Sequence, residues 1–466
     1  MPKSLLRLLS AILCAAMLVP AGCGKSAADN SFTSFTTEPD PLPPATDRLV
    51  IYISETMSMA VNKVLFDRAL DTFKKKFPLV EVEVIEDRYR TDSLINMCLE
   101  KNGPDLLFDY EFYEDDYLEI IRLYDSDIFY NLDLLFGADA EFRPDDYIPG
   151  LFHAGRKDGA LRYVPVGAMM YCFVGPKEIL EQNGLDIWNT DFFGFADKLA
   201  RYCAAIAQDR NRWLTDEYGQ SFTQRWALPY SGLEYIDYDA KTFDVDTEEF
   251  HALMKLCKAA YPVADGRGEK YPFEPNENLI GTRKQEFYGN LTLALPADSY
   301  RLHNVVAQYR EILSFGYTPV IYVIPAADGG KPRAYGMYPA AVSANGKNIR
   351  NAYEFIKILL SPEIQGSIVA GSGTVLLREI EDRLRTPFPL YPSEVPPDIA
   401  LQEEDIQLYM DMISTARFSA INSVAHRMFY YADHTVYDAM LPYFKGEAGY
   451  DECLAELKIR LERYLK

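Results

Sequence analysis

The chain carries 33 tyrosines against 26 phenylalanines and 3 tryptophans, so the first chemical question is which tyrosines meet a ligand. Tyrosine offers a flat apolar face for stacking and a hydroxyl at its edge, a pairing that suits the C–H face and hydroxyl rim of a sugar ring. Ligand pockets use few polar groups, so most tyrosines belong to core or surface and position must select among them. Tyr110 follows a short apolar run, Tyr171 lies within a crossover stretch, Tyr230 sits in LPYSG just after Trp226, and Tyr300 ends LPADSY. Tyr430 and Tyr431 fall in a helical C-terminal stretch. The carboxylates Glu55, Asp109, Glu111 and Asp298 lie in or beside such segments, where a carboxylate can accept hydrogen bonds from ligand hydroxyls.

Signatures of turnover are missing: the chain has no GxSxG, no HExxH and no P-loop. His153, His251, His303, His426 and His434 are scattered. Cys98, Cys172, Cys203, Cys257 and Cys453 form no CxxC pair and no ligand-like spacing, which predicts buried thiols, neither a disulfide framework nor a metal site. No cofactor is implied, and a lone calcium held by Asp-rich loops is the one metal such a pattern would hide. With 69 acidic residues, a carboxylate pair for glycoside hydrolysis is readable only from spatial separation. The formal net charge of −22 makes nucleic acid and anionic headgroups poor partners.

The elements that must position these residues begin with RLVIYIS at 48–54, an apolar strand. Val61, Val64, Leu65, Ala69, Phe73 and Phe77 then recur at helical spacing, and VEVEVI at 80–85 alternates as a strand. This β-α-β order predicts a parallel α/β sheet, extended by a helix at 94–100 and a strand at 105–108. Ligands bind beyond the carboxyl ends of such strands, at Ser54-Glu55 and at Asp109-Tyr110-Glu111. Residues 156–179 read as turn, strand, break, strand and helix, with Asp158-Gly159 as the turn and Pro165 as the break. A strand that leaves one sheet for another accommodates Pro165 and Gly167 better than one unbroken central strand.

Residues 1–22 have the parts of an export signal: Lys3 and Arg7, an apolar run over 8–19, then Ala21-Gly22 before Cys23. The Ala-Gly-Cys ending resembles a bacterial lipobox, with Pro20 where Leu is usual, and implies a diacylated Cys23. Residues 24–47 are rich in Ser, Thr, Pro and Asp without periodicity, as a flexible tether is.

Ordered motifs then resemble one family. Gly103-Pro104-Asp105 with its apolar strand, the turn and YVPV stretch at 158–166, the helix at 177–185 with Trp188, the strand at 290–296, the stretch 338–355 and LLSPEIQ at 359–365 follow in the order seen in extracellular solute-binding proteins of bacterial ABC importers, in the maltose-binding-protein-like branch. That resemblance covers about 48–384. It implies a two-lobed type II periplasmic-binding-protein fold, each lobe a mixed α/β sheet flanked by helices. It also implies three hinge crossings, at Val166 and Gly167, near Gly336 and near Gly373, with the first lobe at 48–168 plus 337–372 and the second at 169–336 plus 373–466. The tyrosine, tryptophan and carboxylate candidates would line the cleft. The expected protein is a monomer anchored by Cys23 on the outer face of the cytoplasmic membrane, binding a small polar solute, a sugar, for ABC permease subunits. The alternatives are a secreted polysaccharide-active enzyme and a ligand sensor for a membrane receptor.

Overall fold

In the computed structural model the described residues are 41–54, 60–87, 91–100, 102–109, 123, 126–170, 172–186, 190–208, 222–223, 227–228, 231–237, 240–264, 295–297, 318–367, 373–386, 401–418 and 434–465. The β-α-β unit is present as β1 (Arg48–Ser54), α1 (Ala60–Lys76) and β2 (Glu81–Asp87), and α2 (Thr91–Leu99) leads into β3 (Leu106–Phe108). β1 pairs in parallel with both β2 and β3. Successive strand residues face opposite sides. Leu49, Ile51 and Ile53 therefore join a core with Phe66 and Phe73 of α1, whereas Tyr52 joins a small cluster with Leu107 and with Leu94 and Cys98 of α2. Cover on both faces is what a parallel strand needs. Of the helical positions read from sequence, Leu65, Ala69 and Phe73 are buried while Val64 is 46 % exposed, its place facing the sheet being taken by Phe66. β2 is an outer strand, and Glu81, Glu83, Glu86 and Asp87 discourage further pairing along it.

After α3 (Asp133–Ala138) come β4 (Arg156–Lys157) and β5 (Ala160–Leu161), joined by the expected turn. Asp158 and Gly159 have φ of 50° and 78°, the two consecutive left-handed residues of a tight hairpin. Asp133, 2 % exposed, anchors this hairpin by accepting from Arg156 Nη2 at 2.7 Å, Arg156 Nη1 at 3.0 Å and Leu161 N at 3.0 Å.

β6 (Val164–Met170) runs unbroken through Pro165 and Gly167, contrary to the break read there. The change of sheet comes later, across residue 171, where β7 (Cys172–Pro176) enters a second, three-stranded sheet. In that sheet β7 is central, antiparallel to β10 (Leu295–Ala297) and β11 (Pro319–Tyr322). The helices α4 (Lys177–Gln182), α5 (Phe192–Ile206) and α6 (Glu248–Ala260) follow β7, with the hairpin of β8 (Ile236–Asp237) and β9 (Thr242–Phe243) before α6. Asp191 caps α5 by accepting from Gly194 N at 2.7 Å, and Thr247 caps α6 by accepting from Phe250 N at 3.1 Å.

β12 (Arg333–Val342) returns to the first sheet, antiparallel to β3 and to β6. Pro165 of β6 faces Pro339 of β12. Neither has an N–H to give, so the missing donors are gathered in one rung of the ladder while the register holds on both sides of it. α7 (Ile349–Leu359), α8 (Pro362–Gln365), α9 (Leu377–Arg385), α10 (Glu403–Thr415) and β13 (Arg417–Phe418), which pairs in parallel with β12, complete this half. The first sheet has the order β13-β12-β3-β1-β2, with β6 also on β12. The last helices, α11 (His434–Lys445) and α12 (Tyr450–Tyr464), pack with α5 and α6.

The buried side chains form two large cores. The first gathers β1, α1, β6, α7, and also Ile380, Leu384, Ile406, Tyr409 and Phe418 from the stretch the sequence division placed in the second lobe. The second gathers Phe195, Leu199, Phe250, Met254, Met440, Phe444, Leu457 and Leu461.

Candidate functional site

Three separate passages of the chain meet side by side, with Val166, Ala168, Met337 and Val375 in the first core and Tyr335 in the second. Gly336 pairs with Ala168 and Met337 with Gly167 in the β6–β12 ladder. On the other edge of β6, Ala168 and Gly373 exchange hydrogen bonds, Ala168 N to Gly373 O at 2.9 Å and Gly373 N to Ala168 O at 2.7 Å. Gly336 must be glycine, because an added Cβ would lie 2.5 Å from Pro165 Cγ. Gln365, fully buried at the end of LLSPEIQ, binds the passages together. Its Nε2 donates to Val166 O and Leu359 O, both at 2.9 Å, and its Oε1 accepts from Thr374 Oγ1 at 2.8 Å and Val375 N at 2.9 Å.

Asp105 of the GPD motif has a similar part. It is 1 % exposed and accepts from Val50 N at 2.8 Å, Lys347 N and Asn348 N at 2.9 Å and Asn348 Nδ2 at 2.8 Å, fastening β1 to the approach to α7. At the opposite, carboxyl end of β1 and β3, Ser54 Oγ donates to Asp109 Oδ1, and both residues are buried. Asp109 N donates to Pro339 O at 3.2 Å. The preceding residue on β12, Tyr338, is buried and has φ of 56°, a left-handed conformation that a bulky L-residue rarely adopts. Held strain of this kind clusters where a fold has a working part.

Of the residues read from sequence, Asp109, Val166, Gly167, Gly336 and Gly373 are described, and the last four come together as above. Glu55, Tyr110, Glu111, Tyr171, Trp226, Tyr230, Asp298, Tyr300, Tyr430 and Tyr431 lie outside the described residues, as does Cys23. The described strands β1, β3, β6 and β10 end at residues 54, 108, 170 and 297, each within three residues of a candidate. All five cysteines from Cys98 to Cys453 are buried and none is disulfide-bonded. Among the described residues, no group of three or more His, Cys, Asp or Glu side chains is placed to hold a metal ion, and no helix is long and apolar enough to cross a membrane.

No protein-family model matches the chain, and no curated protein matches it by sequence. Solved structures do. The sugar-binding protein MalE of Xanthomonas citri matches with a TM-score of 0.59 at 14% identity, over 90% of this chain and 97% of its own. An extracellular solute-binding protein family 1 member from Alicyclobacillus acidocaldarius gives 0.58 at 14%, over 91% and 99%. A cyclic alpha-maltosyl-1,6-maltose binding protein from Arthrobacter globiformis gives 0.53 at 16%, over 92% and 100%. This is the type II solute-binding fold.

Sequence reasoning missed one polar group of this solute-binding fold. Asp328, Arg333 and Arg417 meet where β12 and β13 begin, with Arg333 Nη2 donating to Asp328 Oδ2 at 2.8 Å and Arg417 Nη1 donating to the same oxygen. Asp328 stands in a Gly-rich turn and Arg417 in a stretch read only as helical, so neither carried a signal of its own. Their meeting depends on the register Arg333↔Arg417.

Proposed function

We propose that the chain is the substrate-binding subunit of an ABC importer, capturing a small polar solute, a carbohydrate, between two lobes and presenting it to a permease. The convergence of Val166–Ala168, Gly336–Met337 and Gly373, next to Tyr335 of the second core, supports this best. Two packed bodies joined by adjacent strand passages can rotate while each keeps its core, the backbone change falling on a few residues. Val166, Gly167, Gly336 and Gly373 flank the hinge on the first-lobe side in this reading. The lobes in this reading are 48–170 with 333–418, and 172–331 with 434–466; the boundary moves from the sequence division because the described residues of 376–386 and 401–418 pack on the first core. The carbohydrate ligand and the extracellular setting are supported by neighbours named for sugar and extracellular solute binding. Cys23 carries the lipid anchor in this proposal, and Cys23→Ala is expected to leave the precursor unprocessed or release the protein from membranes.

Closure requires a ligand that favours the closed conformer, since equal affinity for both shifts neither population. A thermal-shift screen of oligosaccharides, followed by solution scattering, tests this. The right ligand is expected to reduce the radius of gyration and, at about a hundred times its Kd, to stabilise the protein by about 2.7 kcal/mol. Tight binding without compaction, or turnover of the same saccharides, would overturn the reading.

A further inference from the structure

Arg333 and Arg417 stand opposite each other on β12 and β13. Like charges in paired positions repel unless a counter-charge lies between them. Asp328 is that counter-charge, but one carboxylate against two guanidinium groups leaves a net positive charge, and Arg333 is only 7 % exposed. Burying an uncompensated charge is costly. The hydrogen bonding is incomplete as well. Arg333 Nη2 reaches Gly232 O at 3.0 Å, yet Nε of Arg333, Nε of Arg417 and Oδ1 of Asp328 are buried without any partner. Gly232 leaves room for this guanidinium, since a Cβ there would lie 3.0 Å from both Nε and Nη2. His153 senses the same field: burial lowers its pKa, and the charges of Arg156 and Arg417 lower it further. The group borders both cores, with Ala334 and Phe418 in the first core, Tyr335 in the second and Ala327 packed against the second.

We propose that Asp328, Arg333 and Arg417 form a subsite for a carboxylate-bearing sugar, a uronate. The inference rests on the carbohydrate reading above and narrows its substrate class. Surplus N–H donors with a net positive charge call for an anion. An unmet carboxylate oxygen beside them calls for a hydroxyl donor on the same ligand. A uronate supplies both from one ring, its carboxylate to the guanidinium groups and an adjacent hydroxyl to Asp328 Oδ1. An inorganic anion supplies only the first. Asp328 is the most open of the three, its side chain 27 % exposed against 6 % for Arg333 and 13 % for Arg417.

The test is calorimetric titration of the full chain with a galacturonate trisaccharide, its neutral galactose counterpart, sodium phosphate and sodium chloride. The acidic trisaccharide is expected to bind at least about tenfold more tightly than the neutral one, and Arg417→Met is expected to narrow that gap by weakening acidic binding more than neutral binding. Arg417→Lys keeps the charge without the planar fork and is expected to fall between them. Should the variants fail to fold, the native chain still decides, since acidic binding is expected to weaken with added salt while neutral binding does not. Equal affinity for the two trisaccharides overturns this inference and leaves the carbohydrate reading standing. Stabilisation by phosphate or chloride matching that by the acidic trisaccharide overturns the uronate assignment. Absence of binding by either trisaccharide and by every other saccharide in the screen overturns both readings.

Discussion

Asp105 and Asp328 are both carboxylates placed to join distant parts of the chain, and they differ in how completely they are met. Asp105 accepts four hydrogen bonds on its two side-chain oxygens, so neither oxygen is left unmet. Asp328 directs one oxygen to two arginines while its other oxygen and both Nε atoms lack partners. A satisfied buried group fixes one arrangement of the chain, whereas a partly satisfied one keeps bonding capacity in reserve. Frame and site are thereby separated on physical grounds: Asp105, Gln365 and Asp139 belong to the frame, and the Asp328 group to the site.

The largest effect that sharpens this contrast is expected from Asp105→Ala, which orphans the N–H groups of Val50, Lys347 and Asn348. Urea denaturation should show a loss of about 4 kcal/mol. A loss under about 1 kcal/mol would put Asp105 with the site residues and collapse the distinction. Gln365→Leu comes next, at about 3 kcal/mol, because it strips Val166 O, Leu359 O, Thr374 Oγ1 and Val375 N of one partner each.

Asp139 extends the comparison to pH. Burial pushes its pKa up, but hydrogen bonds from Lys357 Nζ at 2.8 Å, Glu141 N at 3.0 Å and Tyr353 OH at 3.1 Å outweigh that, and the net shift is below the ordinary 3.8. The stabilisation is therefore fully present above the unfolded value of 3.8 and is lost as pH falls through the lower, folded value. Asp139→Asn should flatten the decline in unfolding free energy as pH is taken from about 5 to about 2, and an unchanged decline would remove Asp139 from the frame.

Arg417→Met should have the smallest effect on stability, within about 1 kcal/mol of the native chain, because it leaves Asp328 and Arg333 as a balanced pair. A penalty as large as that of Asp105→Ala would show the Asp328 group to be frame as well.

Local pattern alone determined much of the chain: the apolar run of 48–54, the helical spacing of 60–76 and the Asp158-Gly159 turn all lie where short-range sterics and periodicity place them. The order of weak motifs carried the two-lobed solute-binding fold further than any one of them. Tertiary structure decided the rest. Pro165 reads as a strand breaker in isolation, yet β6 continues through it because its register with β12 holds on both sides. The helices α9 and α10 are amphipathic, and their sequence does not specify which core they cover. Asp105 and Gln365 stand in motifs recognised as strings, but their roles come from partners far along the chain, the donor Asn348 N being 243 positions from Asp105 and the acceptor Val166 O 199 positions from Gln365. The Arg333, Asp328 and Arg417 group lies furthest from the reach of sequence, because charge balance and unmet hydrogen bonds are sums over neighbours that exist only once strand register has set them side by side.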